Sequence, residues 1–164
     1  MVASGVVSVP GRDAWLEATP AGPVRTYPGD DTWTEQPFAE GVVLLGDAAG
    51  YCNPPIGQGL ALRDVRALGE RLLDSDRWDV AMLSSYGLER AERLRRMRFV
   101  ANLEATANLT FGQPGRALRD AIARRQQADA LFLAPVLAEY TGPDSLPPEV
   151  TTPEFARAYL GTPV

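Results

Sequence analysis

The sequence has no histidine and no lysine; all sixteen of its basic residues are arginine. Without histidine it lacks the commonest general base near neutral pH and the commonest zinc ligand. Without lysine it cannot form a Schiff base. Cys52 is its one cysteine, which excludes an internal disulfide and a thiolate metal cluster. With no histidine to deprotonate it, Cys52 reads as a bystander thiol rather than a nucleophile. No apolar run approaches membrane-spanning length, and MVASGVVSVPGRD at the N-terminus lacks a basic region followed by a long apolar stretch. The expectation is a soluble cytoplasmic protein with no membrane partner. A formal net charge of −5 argues against nucleic acid as a partner. No residue stands out as catalytic or as a metal ligand. Chemistry is left to a bound cofactor or to carboxylates.

What is present is ordinary globular material: 164 residues, 45% hydrophobic and 23% charged, enough for one domain with a sizeable core. The chain is organised around Gly41 to Arg71, GVVLLGDAAGYCNPPIGQGLALRDVRALGER. Val42 to Leu45 are consecutive apolar residues, half of them β-branched, and predict a short strand covered on both faces. Gly46 ends it and permits close backbone approach, and Asp47 places a carboxylate at its carboxyl end. Asn53-Pro54-Pro55 is expected to stop any helix before Gly57. A helix then opens on Gly57-Gln58-Gly59. Its apolar positions are Ala61, Leu62, Val65, Leu68, Leu72 and Leu73, with Arg63, Arg66, Glu70 and Asp74 on the other face. Bare amides at the helix start would receive a partial negative charge.

The run GVVLLGDAAGYCNPPIGQGL closely resembles the second flavin-binding motif of the FAD-dependent aromatic hydroxylases, the class A flavoprotein monooxygenases. The resemblance implies that Gly46 and Asp47 belong to the cofactor-binding set, with Asp47 binding a ribityl hydroxyl of FAD, that Pro54 lies against the flavin near the reacting oxygen, and that the backbone at Gly57, Gly59 and Leu60 faces the flavin pyrimidine. It implies hydroxylation of a small aromatic or polyketide-like substrate with NAD(P)H and O₂. The family pattern continues Gly-Leu-Asn-Leu-Ala-x-x-Asp, whereas Gly59-Leu60 here runs into Ala61-Leu62-Arg63-Asp64, two residues shorter and without the Asn. On a helix, losing two residues turns every later side chain by about 200°. The chain has no G-x-G-x-x-G, the fingerprint that holds the pyrophosphate in the family's first half. The resemblance is therefore to the C-terminal portion of such an enzyme.

Elsewhere, Gly5 to Val9 and Val24 to Tyr27 are strand candidates, and Arg12 to Ala18 a helical turn with Trp15 and Leu16 inward. Pro28 to Asp31 is a turn whose Asp30 and Asp31 read as solvated rather than as a metal pair. Ser75 to Trp78 is a linker. A long helix starts near Asp79 as N-cap, with Leu83, Tyr86, Leu94, Met97 and Ala101 inward. Met82, Met97 and Phe99 are core candidates. Arg90, Arg93, Arg95, Arg96 and Arg98 spread around this helix at about 100° per residue and read as solvated and salt-bridging. Tyr86 and Arg90 resemble the family's Tyr-x-x-x-Arg pair. Phe111 to Gly115 is a break, Arg116 to Leu133 the next helix, with Leu118, Ile122 and Leu131 inward, and Pro135 starts or kinks a short one reaching Tyr140. Thr141 to Pro148 is a loop. Thr151 to Leu160 ends in a small helix, opened by a capping box or by a threonine cap with proline at the first helical position.

The expected fold is thus a helix-rich α/β fragment: short strands and a strand–Gly-Asp turn–helix unit of a flavin-binding domain over residues 1–75, then a helical region over 76–164, packed as one unit. Such a chain would be incomplete alone, its partner a complementary Rossmann half or a second copy of itself. The alternative is a stand-alone relative that has lost FAD and serves as a binding or regulatory protein, or in a non-redox reaction. A third reading is an unrelated helical interaction domain.

Overall fold

The structure, a computed structural model, describes residues 11–19, 21–23, 25, 32–51 and 54–161. The strand candidate Gly5 to Val9 and the Pro28 to Asp31 turn lie outside these residues, as does nearly all of Val24 to Tyr27. Helix α1 (Arg12–Glu17) forms as expected, but Leu16 is 42% exposed rather than inward. A six-residue helix presents too little apolar surface to hold a face against the body.

Strands β1 (Phe38–Ala39) and β2 (Val42–Val43) form a two-stranded antiparallel hairpin, Phe38 opposite Val43 and Ala39 opposite Val42. The four-residue strand covered on both faces is not found: β2 stops at Val43, and Val42 is 56% exposed. An apolar run carries no record of its pairing partner, and among the described residues β1 is the one strand paired with it.

The rest is helical. Helix α2 (Pro54–Leu73) leads through the 74–79 linker to α3 (Val80–Leu109), capped by Asp79, whose carboxylate accepts from the Met82 amide at 3.0 Å. Helices α4 (Gly112–Ala128), α5 (Ala134–Thr141) and α6 (Pro153–Leu160) complete the chain, joined by 3₁₀ turns. The predicted Arg116–Leu133 helix starts four residues early and ends at Ala128, where Asp129 caps a separate 3₁₀ turn, its side chain accepting from Leu131. Before α6, Thr152 accepts from the Phe155 amide with Pro153 at the first helical position, so the threonine cap is the form adopted. No helix among the described residues is long and apolar enough to cross a membrane.

Helix α3, about 45 Å long at 1.5 Å per residue, is the spine. All five residues of its predicted inward stripe are buried. Its C-terminal half joins Ile122, Ala138, Leu146, Val150, Phe155 and Tyr159 in the larger apolar core, where Phe132, Phe155 and Tyr159 stack at 5.3–6.3 Å. Its N-terminal half, with Leu83 and Tyr86, packs on Ala67 and Leu68 of α2 and on Phe38 and Val43 of the hairpin. Gly87 makes this second contact possible, since a Cβ there would lie 2.6 Å from the Phe38 ring. Leu60 of α2 enters the larger core, so the two predicted segments pack together.

Candidate functional site

The Gly-Asp turn lies just beyond β2. Residues Gly46–Ala49 make a single 3₁₀ turn, with Gly46 at φ 52°, where other residues are strained. Gly46 also lies against α2: a Cβ on it would stand 3.0 Å from the Ala61 Cβ. The close approach that this glycine permits is therefore to the helix.

A buried charge network holds the turn there. Asp64 on α2 is 1% exposed, and Arg90 and Arg93 on α3 are 2% and 4% exposed. One Asp64 oxygen accepts from the Gly46 amide at 2.9 Å and from Arg90 Nε at 3.0 Å; the other accepts from Arg93 Nη2 at 2.6 Å. Arg90 also donates to the Gly46 carbonyl at 3.2 Å, and Arg93 to the Leu60 carbonyl at 3.3 Å and to Glu89 at 3.1 Å. Tyr86 adds a hydrogen bond to the Leu44 carbonyl at 3.3 Å, and its hydroxyl pKa is pushed up to about 12 by burial and the nearby Asp64 charge. Each arm from Asp64, Arg90 and Arg93 ends on the turn, on α2 or on α3, and Tyr86 reaches the segment just before the turn. Its geometry is that of a clamp.

Arg90 and Arg93 are therefore not solvated as expected. Their positions fall on the stripe that carries Tyr86 and Met97, so the packing that buries those residues takes the guanidinium groups in, and Asp64 and Glu89 neutralise them. Arg95 does pair with Glu92 at the surface, Arg98 lies over the Trp33 ring at 4.8 Å, and Arg96 donates to the Leu146 carbonyl.

The residues expected to hold a flavin lie on two elements that pack together, the Gly46–Ala49 turn and the N-terminal part of α2. Gly46 is tied into the clamp by both its amide and its carbonyl. Asp47, next to it, is exposed, and its carboxylate has no partner among the described residues. Pro54 is the first residue of α2, and Gly57 lies in the first turn. The helix thus begins before Gly57, contrary to expectation, because proline in the first helical turn gives up only N–H groups that have no partner there. Gly59 and Leu60 lie past that turn, with their amides in the helical ladder. The Leu60 side chain is 8% exposed in the apolar core and its carbonyl is taken by Arg93. Asp47 suits the ribityl part of a flavin; Gly59 and Leu60 do not suit its ring edge.

Sequence reading missed Asp64 and Arg93 as site-building residues. The signal was there: Leu60, Asp64, Ala67 and Leu68 share one α2 face, and Tyr86, Arg90, Arg93 and Met97 share one α3 face. Charges interrupting two facing apolar stripes, opposite in sign, mark a buried pair. Among the described residues no group of three acidic or cysteine side chains could hold a metal ion.

No protein-family model matches the chain, and neither does any curated protein or solved structure.

Proposed function

We propose that the Gly46–Ala49 turn is the ribityl-binding part of a flavin site and that the chain is the C-terminal part of an FAD-dependent monooxygenase. Asp47 carries the reading. The turn is clamped by Asp64, Arg90 and Arg93, yet it leaves the neighbouring carboxylate exposed and, among the described residues, without a partner, a preorganised acceptor for ligand hydroxyls. In this reading Asp47 holds the ribityl chain. The backbone of the first turn of α2, from Pro54 through Gly57, would supply the positive end of the helix dipole to the ring system. A bound flavin would supply the redox chemistry, with NAD(P)H and O₂, for hydroxylation of an aromatic or polyketide-like substrate. The pyrophosphate and adenosine would be held by a complementary Rossmann half or a second copy. Val42, Leu62, Val65 and Leu73 support a partner. They were expected to face inward, yet they are 56%, 67%, 56% and 88% exposed on the hairpin and α2.

A second reading rests on Gly59 and Leu60: their absorption into helix and core favours a relative that has kept the scaffold and gives up the flavin. Titration of the purified chain with FAD and with riboflavin, monitored by the visible flavin bands, separates the two. A shifted spectrum that Asp47→Ala abolishes supports the flavin site. Because Asp47 is exposed, the variant should keep the parent's stability to within about 0.5 kcal/mol. No spectral change at saturating flavin, alone and in the presence of a complementary half, overturns the flavin reading.

A further inference from the structure

A cleft of about 260 Å³ opens between α2 and α5, lined by Gly59, Arg63, Met97, Glu139, Tyr140 and Asp144, among others. We infer that this cleft binds a small organic ammonium ion: an amine carrying an apolar body about the size of one ring. The floor is apolar, from Leu60, Met97 and Ala138, and Met97 can adapt its shape to a guest. The volume falls just below the roughly 300–1,000 Å³ range of drug-sized ligands, which limits the guest to a smaller molecule.

The charge at the rim selects a cation. Among the described residues lining the cleft, Glu139 and Asp144 are acidic and Arg63 is the one basic residue, and Arg63 is already shared between Asp144 at 3.2 Å and Glu89 at 3.4 Å. Glu139 has no cationic partner among the described residues, and burial together with the Glu104 charge raises its pKa. The last turn of α5, Ala138 to Thr141, turns the negative end of its dipole to the same space. Tyr140, 83% exposed, offers a ring face for a cation–π contact at the mouth. Gly59 leaves the mouth open, since a Cβ there would meet nothing within 4 Å.

The probe is 2-phenylethylammonium, titrated into the full chain by calorimetry and by the Met97 methyl resonance, beside neutral 2-phenylethanol and anionic 3-phenylpropionate. Binding should saturate, shift the Met97 signal, and be about tenfold weaker for either isostere and for Glu139→Gln. Gly59→Leu should fill the mouth and abolish binding. It should also fold, because leucine favours a helix over glycine and the space is free. The proposal is overturned if binding fails to saturate, if 3-phenylpropionate binds as well as the amine, or if folded Gly59→Leu retains the parent affinity. Should Gly59→Leu not fold, Glu139→Gln decides: parent affinity in that variant overturns the proposal.

Discussion

The two halves of α3 are held in opposite ways. The N-terminal half grips the Gly-Asp turn and α2 with two buried guanidinium groups and one carboxylate, while the C-terminal half sits in an apolar core among Ile122, Val150, Phe155 and Tyr159, to which part-buried bonds from Arg96 to the Leu146 carbonyl and from the Tyr159 hydroxyl to Glu104 are added. The difference teaches what each material is for. Apolar burial stabilises in proportion to area but tolerates sliding and repacking. A buried ion network adds little net stability, because desolvation offsets most of its attraction, but its bonds are directional and place a backbone group at a set position. The larger core holds the protein together, and the clamp sets where Gly46 lies and so where Asp47 points.

The comparison breaks most sharply at Asp64. Asp64→Ala leaves Arg90 and Arg93 buried without their shared partner and should lower stability by about 3–5 kcal/mol in urea unfolding. Replacing Asp64, Arg90 and Arg93 together by apolar residues of similar volume should recover most of that loss. Amide exchange at Gly46 should then be faster than in the parent, since its acceptor is gone. If the triple variant is as unstable as the single one, the clamp is a source of stability rather than of position. In the other half, Met97→Ala should cost about 2–5 kcal/mol through transfer and cavity terms. It should leave the proposed flavin binding at Asp47 unaffected at temperatures where the variant is folded.

The smallest effect is at Glu139. Burial and the Glu104 charge raise its pKa above the usual 4.5, so the folded state favours the protonated form. That contribution is fully present below about pH 4.5 and is lost as pH rises through the folded value. Glu139→Gln should therefore melt above the parent at pH 7, and the gap should close on acidification. A gap that is the same at both pH values would mean that the carboxylate is not strained by its surroundings.

Much of the helical frame was legible. Asp79 as a cap, the buried stripe of α3 and the threonine cap of α6 come from local rules: a short side chain that satisfies a bare amide, and apolar residues recurring at helical spacing. The turn at Gly46 and Asp47 was legible as a turn. The hairpin was not, because Phe38–Ala39 is too short to carry an alternating pattern, and its pairing with Val42–Val43 depends on contact rather than on local preference. The α2 face was misread in part for the same reason. Its apolar residues span more of the circumference than its neighbours cover, and spacing alone does not say which of them find a partner.

The sequence by itself determined the absence of histidine and lysine chemistry, the positions of most helices and their caps, and a carboxylate next to a turn glycine. These depend on residue identity and on interactions a few positions apart. Only the tertiary structure decided that Arg90 and Arg93 are buried, that Asp64 is their partner, and that Gly46 presses on Ala61 while Asp47 is exposed. Asp64 and Arg90 are 26 residues apart, and nothing local couples them. Their pairing comes from two helix faces meeting, because a charge taken out of water must find its opposite within reach.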